Sequence, residues 1–352
     1  MSEITRVTVE PLDLALHHPF EIALGTQTSA SNVLVTVETD AGITGYGEAA
    51  PTPHVTGETQ SNSIATIRSV ATLLEGRDVR RHRELNADLH AAIPGAVATL
   101  YALETAILDA HCRELEIPLA ALFGGVPDPI ETDMTIPIVS AAAAQERASA
   151  AVDRGFESLK IKTGTDLEQD IERVCAVAEA APAAALKVDA NQGWTPKETV
   201  RFDSRLRDRG VPLELIEQPV ARDDVDGLQW LTNRVSTPIA ADETVFTPSD
   251  ATRIVRERAA DVLNIKLIKS GICGGASIAT IADSASLECM VGCMLESSIG
   301  IHTSAHLVSA LGTFEYVDLD SVHLLADDVV SASSDGPMIE PSGPGHGITP
   351  ES

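Results

Sequence analysis

The sequence predicts an α/β protein, a modified (β/α)8 (TIM-type) barrel behind an α+β N-terminal capping domain. Charged residues recur at nearly even intervals: Lys162, Asp189, Glu217, Asp242 and Lys266, separated by 27, 28, 25 and 24 residues on subtraction. Each closes a short apolar run, in SLKIK, LKVDAN, LELIEQP, IAADET and VLNIKL. That interval is the length of one strand, one helix and two loops. A barrel gathers its polar residues at the carboxyl ends of its strands, where this pattern puts them.

The elements follow in order. Residues 4–15 and 32–48 alternate as strands, the second around a turn at Asp40–Gly42. Helical spacing covers about 61–75 and 97–115, and IPLAALFGG at 117–125 ends in paired glycines that stop a helix. Eight strands are expected near 132–138, 158–162, 186–190, 213–217, 238–242, 262–267, 288–294 and 314–318, with helices such as 166–181 and 197–209 between them. Eight strands with intervening helices favour a closed barrel over an open sheet. The expected division is a cap over 1–125, a barrel over 126–325 and a Gly-, Pro- and Ser-rich segment over 326–352 that returns to the cap.

Composition narrows the function classes. With 52 acidic and 25 basic residues, the formal net charge is −27, and such a surface repels nucleic acid and anionic membranes. Only six of the basic residues are lysine, and acidic, lysine-poor composition fits a protein of a salt-loving organism, with a merely acidic mesophilic enzyme as the alternative. No apolar run is long enough to span a bilayer, and no signal segment opens the chain. Five cysteines without CxxC spacing suggest free thiols in a reducing cytoplasm.

Four of the six lysines, Lys160, Lys162, Lys266 and Lys269, fall in two of the strand-end segments. Lysine there, where arginine serves elsewhere, points to ammonium groups that must release a proton. Lys162 ends the second strand and Lys266 the sixth, so the two should face each other across the mouth. Asp189, Glu217 and Asp242 end the three strands between. Three hard oxygen ligands suit Mg2+ better than Ca2+ or Zn2+. A cation there would stabilise the enediolate formed when an α-proton leaves a carboxylate substrate, and opposed lysines would remove and return that proton. The nearby cation and the ammonium of Lys160 are expected to lower the proton affinity of Lys162, with Lys269 doing likewise for Lys266. Asp318 and Asp320, on one face at the end of strand eight, would hold a substrate ammonium. Glu296, Lys160 and Thr135 are expected at the substrate pocket.

Several segments resemble the enolase superfamily: GYGEAAP at 45–51, PLAALFGG, LKIK, DANQGW at 189–194, EQP at 217–219, ADE at 241–243 and NIKLIKSG at 264–271. Lysines on both the second and sixth strands resemble the muconate-lactonizing subgroup. Asp318-Leu319-Asp320 and MVGCMLESSIGI at 290–301 are similar to the dipeptide epimerases. The resemblance implies Lys162 and Lys266 as acid and base, one Mg2+ per subunit on Asp189, Glu217 and Asp242, and a dipeptide amino terminus on Asp318 and Asp320. In L-Ala-D/L-Glu epimerases a cap loop carries an arginine for the glutamate side chain. The matching position in EIALGTQTS is Gly25, and no Arg or Lys lies between Arg6 and Arg68. A neutral or cationic carboxy-terminal side chain is therefore expected. The alternatives are muconate cycloisomerisation, o-succinylbenzoate synthesis, N-acylamino-acid racemisation, or a non-catalytic binding barrel. The sequence leaves the oligomeric state open, a homo-oligomer included.

Overall fold

The computed structural model describes residues 2–331 and 335–351. The chain opens with a long antiparallel ribbon, β1 (Ile4–Ile22) against β2 (Gly25–Thr39), and β3 (Thr44–Ala49) completes a three-stranded sheet. Three helices follow: α1 (Gln60–Val70), α2 (His82–Ala92) and α3 (Val97–Glu114). Helix α3 is buried from Ala98 to Cys112 and forms the floor on which the sheet packs.

Two features of this cap differ from the sequence reading. Helix α2 was not expected; its buried face is only Leu85 and Leu89, too thin an apolar stripe to stand out among charged neighbours. The stretch read as a cap loop is the tip of the β1–β2 ribbon, which runs on to Ile22 opposite Gly25. Alternation fails there because the ladder shifts register between Ala15 and Phe20, around His17-His18-Pro19.

After the short strand β4 (Ile130–Glu131), eight strands form one sheet: β5 (Met134–Ile136), β6 (Ser158–Lys162), β7 (Ala185–Asp189), β8 (Leu215–Glu217), β9 (Ile239–Ala241), β10 (Val262–Ile265), β11 (Glu288–Gly292) and β12 (Phe314–Asp318). Each pairs in parallel with its neighbour in chain order. Hydrogen bonds join the two ends of that order: Asp133 N donates to Val317 O at 3.1 Å and Leu319 N to Thr132 Oγ1 at 2.8 Å. The result is a (β/α)8-type barrel with an N-terminal antiparallel-sheet domain.

Helices α4 (Ala141–Asp153), α5 (Leu167–Ala180), α6 (Pro196–Asp208), α7 (Val225–Thr232), α8 (Pro248–Glu257), α9 (Leu267–Ser270), α10 (Ile272–Ser284) and α11 (Ser298–Leu311) fill the crossovers. Side-chain caps start several of them, as Ser140 does for α4 and Asp166 for α5. A single turn, α12 (Ser321–Leu324), follows the last barrel strand, and β13 (Met338–Ile339) pairs with β4. The barrel floor is apolar, with Leu215, Ala240, Val262 and Met290 packed against Tyr316. Beyond it the final segment reaches back to the cap, where Leu119 N donates to Gly345 O and Gly345 N to Ile117 O.

Candidate active site

Strand register builds the site. Lys162 pairs across the sheet with Asp189, and Asp189 with Glu217, each the last residue of its strand. Asp242 and Lys266 come directly after β9 and β10. Ligand oxygens of Asp189, Glu217 and Asp242 lie within 4.8 Å of one another, and all three residues are buried.

The two lysines flank this cluster from opposite ends. Lys162 Nζ donates to Asp189 Oδ2 at 2.6 Å, and Lys266 Nζ lies 2.9 Å from Asp242 Oδ2. Their strands, β6 and β10, are four places apart in a ring of eight. Both line one pocket, together with Asp242, Asp318, Asp320 and Thr135 from the barrel mouth. The cap closes that pocket with Phe20, Ile22 and Gln27 of the ribbon and Thr52 and Val55 of the loop after β3. Larger cavities exist, one of about 900 Å3 at the opposite end of the barrel, but they lie away from the lysine–carboxylate cluster. Chemistry rather than volume locates the site.

Neighbouring polar groups fix the carboxylates. Asn264 Nδ2 donates to Glu217 Oε1 at 2.7 Å, Asn191 N to Asp189 Oδ1 at 2.8 Å, and Asp242 N to Gln218 Oε1 at 2.9 Å. Lys269 Nζ donates to Asp242 Oδ1 at 2.6 Å. Burial alone would raise Asp242, but Lys266 and Lys269 overturn it and hold the carboxyl far below its ordinary range. Asp189 is likewise lowered, by Lys162 and Lys160 against burial. Glu217 goes the other way, pushed up to about 7 by burial and then by Asp189. Glu243, beside them, is pushed up to about 8 by burial and by Asp242.

These groups form one band of charge across the barrel interior. The acids are Asp133, Asp189, Glu217, Asp242, Glu243, Asp318 and Asp320, seven in all, against Lys160, Lys162, Lys187, Lys266 and Lys269, five. Three clustered carboxylates with no His or Cys among them are hard donors, so the residues fit Mg2+.

Three expectations are corrected by these positions. Lys160 is 1% exposed and closed off from the pocket: its Nζ lies 2.5 Å from Asp318 Oδ2, 2.7 Å from Glu217 Oε2 and 3.4 Å from Asp189 Oδ2. Its long stem keeps it below the mouth, bridging the carboxylate cluster to Asp318. Glu296 turns behind the pocket wall, where its Oε1 accepts from Met294 N at 2.9 Å, because the start of α11 draws that loop toward the cap residue Glu48. Finally, Lys269 by itself does not lower Lys266. Burial would depress it, but Asp242 outweighs burial and raises it above the ordinary ammonium range, while Lys269 is the one depressed, by burial.

The remaining expected residues converge. Lys160 aside, Asp318 and Asp320 stand at the pocket wall, and Thr135 N donates to Asp320 Oδ2 at 2.6 Å. Sequence reasoning missed Asp133 and Lys187. Asp133 carries a carboxylate oxygen within 4.8 Å of those of Asp318 and Asp320, and Lys187 Nζ lies 2.6 Å from Asp133 Oδ2. Period two on the first and third barrel strands carries both signals, since Asp133 is two residues before Thr135 and Lys187 two before Asp189.

A barrel whose strand ends carry a buried carboxylate trio between two lysines defines an enzyme of the barrel class. Comparison with known proteins then gives the family. Residues 143–352 match the family described as enolase C-terminal domain-like, and residues 3–124 match the mandelate racemase/muconate lactonizing enzyme N-terminal domain. The chain belongs to the enolase superfamily. It is similar to an aromatic dipeptide epimerase of Herpetosiphon aurantiacus, 40% identical over 92% of this chain and 91% of that protein. It is also similar to an L-Ala-D/L-Glu epimerase of Thermotoga maritima, 37% identical over 96% of this chain and 99% of the relative. Among solved structures, a dipeptide epimerase from Enterococcus faecalis complexed with Mg and L-Leu-L-Tyr superposes with a TM-score of 0.95 at 36% identity, covering 99% of both chains.

Proposed function

We propose that this protein is a Mg2+-dependent dipeptide epimerase that inverts the α-carbon of the carboxy-terminal residue. The observation that carries the reading is the pair Lys162 and Lys266, on strands four apart in the ring and lining one pocket on either side of the carboxylate trio. The names of the relatives support the dipeptide.

Asp189, Glu217 and Asp242 would hold the cation. When bound, it supplies positive charge to the substrate carboxylate as the α-proton leaves and competes with the lysines for those side chains. Lys162 takes the proton from one face of the α-carbon and Lys266 delivers one to the other. In the reverse direction they exchange roles, so either stereoisomer is a substrate. Lys160 stays protonated between Glu217 and Asp318 and holds the two ends of the site in register. Asp318 and Asp320 bind the α-ammonium of the dipeptide, with Asp320 steadied by the Thr135 amide. This demand for a free ammonium separates the reading from N-acylamino-acid racemisation and from the cycloisomerase and synthase alternatives.

The carboxy-terminal side chain would meet Phe20, Ile22, Val55 and Leu295, an apolar wall. That favours a neutral apolar residue over the cationic option and over glutamate. The net charge supports function at high salt, and five unpaired cysteines support a reducing cytoplasm. No described helix is long and apolar enough to cross a membrane.

The test is deuterium uptake from D2O into a panel of dipeptides, with Mg2+ and molar salt, read by mass spectrometry. Uptake at the carboxy-terminal α-carbon is expected. Lys162→Ala and Lys266→Ala should each lower epimerisation by roughly 10²–10⁴-fold, each leaving exchange of one stereoisomer. Racemisation of N-acylamino acids without exchange of any dipeptide would overturn the reading.

A further inference from the structure

Thr135, Leu324 and Phe20 have a second side. The same three residues also wall an adjoining cavity of about 270 Å3. Its lining is unlike the rest of this acidic molecule. The titratable side chains around it are Arg147, Arg154, His17, His18 and His323, with no carboxylate among them.

Helix α4 supplies both arginines. Arg147, Ala150, Ala151 and Arg154 all line the cavity and stand at i, i+3, i+4 and i+7, one face of the helix and its C-cap. The two alanines leave room between the guanidinium groups. Arg154 is already engaged: Nη2 lies 3.0 Å from His323 Nδ1, and Nε donates to Asp335 O at 3.0 Å and lies 3.3 Å from the Asp335 carboxylate. Arg147 is half-buried and has no hydrogen-bond or ion-pair partner among the described residues. With acids outnumbering bases 52 to 25, a carboxylate partner for Arg147 would be easy to supply from within the chain. With Arg154 committed to Asp335, the cavity offers one half-buried, unpartnered guanidinium in a lining free of carboxylates, which is the chemistry that recognises a carboxylate.

We propose that this cavity is a subsite for an acidic side chain on the amino-terminal residue of the dipeptide, a glutamyl or aspartyl group whose carboxylate pairs with Arg147. The inference rests on the dipeptide reading and extends it. With the α-ammonium on Asp318 and Asp320, the first α-carbon of the substrate would lie beside Thr135, whose amide donates to Asp320. The peptide ends at that ammonium, so only the side chain of the first residue is left to cross into the basic cavity. The other end of the substrate faces the apolar residues of the cap. The preferred substrate class is therefore acidic first, apolar second.

The experiment compares kcat/KM for epimerisation of L-Glu-L-Leu, its near-isostere L-Gln-L-Leu and L-Lys-L-Leu, with Mg2+ and molar KCl. The glutamyl peptide is expected to exceed the glutaminyl one by about tenfold or more, with the lysyl peptide slowest. Arg147→Gln should bring the Glu-to-Gln ratio towards one, with circular dichroism and thermal midpoint reporting the fold. Ala150→Leu, which fills the space between the two arginines while keeping both charges, should lower the same ratio. A wild-type ratio at or below one, or a ratio unchanged in Arg147→Gln, overturns the inference while the epimerase reading stands. Absence of exchange from every dipeptide overturns both.

Discussion

At the scale of single residues, the buried carboxylates divide by what faces them. Asp189 and Asp242 meet ammonium groups and stay ionised; Glu296 meets Glu48 instead. Burial, and then Glu48, push Glu296 up to about 8, and its Oε2 has no hydrogen-bond partner. In the unfolded chain the same group ionises near 4.3. Between those values the unfolded state releases a proton that the folded state keeps, so this group's contribution to stability shrinks as pH rises from about 4 to 8. Glu296→Gln removes the titration and preserves the acceptor for Met294 N. Its stability relative to wild type should rise by a few kcal/mol across that window, read by urea denaturation at pH 5 and pH 8. A pH-independent difference would contradict the assignment. The same residue marks the limit of sequence reading. Even spacing made Lys162, Asp189, Glu217, Asp242 and Lys266 legible because register fixes where a strand ends. Which way a loop side chain such as Glu296 turns depends on the cap packed above it, and no local pattern encodes that.

At the scale of elements, the barrel strands were readable because each is a short apolar run closed by a polar residue. Helix α2 and the ribbon tip were not, since one buries only two side chains and the other is held by a backbone ladder that shifts around His17-His18-Pro19. The closing segment shows how elements distant in sequence become one unit. Asp109 on α3 accepts from Tyr46 N at 2.9 Å, Arg113 Nε at 2.7 Å and His346 N at 2.9 Å, tying cap sheet, cap helix and final segment together. Gly345 makes that junction possible: its φ is +67°, and a Cβ there would lie 1.8 Å from Asp109 Oδ1. Neither the fully buried carboxylate nor the backbone can yield without losing those hydrogen bonds. Gly345→Ala should cost roughly 2 kcal/mol or more and lower the thermal midpoint by several degrees. An unchanged midpoint would show that the final segment is dispensable to the cap.

At the scale of the whole molecule, the question is where the charge of −27 resides. Counted formally, the buried band sets seven acids against five lysines, so nearly all of the excess lies outside it. Five of the six lysines are buried in that band and only Lys197 is exposed, which leaves arginine to supply nearly all surface cations. Pairs such as Arg77 with Glu84 and Asp88 are partly exposed and contribute little each. For a chain of this length the radius of gyration is roughly 20 Å. The screening length is about 30 Å at 0.01 M salt and about 3 Å at 1 M. In dilute buffer, therefore, most of the excess carboxylates repel one another across the molecule, whereas at molar salt each senses only its neighbours. Salt weakens the surface ion pairs as well, but those pairs are few and individually small beside the summed repulsion, so relief of repulsion wins. The thermal midpoint should climb by several degrees between 0.05 M and 2 M KCl, and far-ultraviolet circular dichroism should weaken on dialysis into dilute buffer. Sucrose at matched osmolality should reproduce little of the gain, since it excludes itself from the surface without screening charge. A midpoint flat across that range of KCl, or equal protection by sucrose, would mean the acidic surface is not what makes the fold depend on salt.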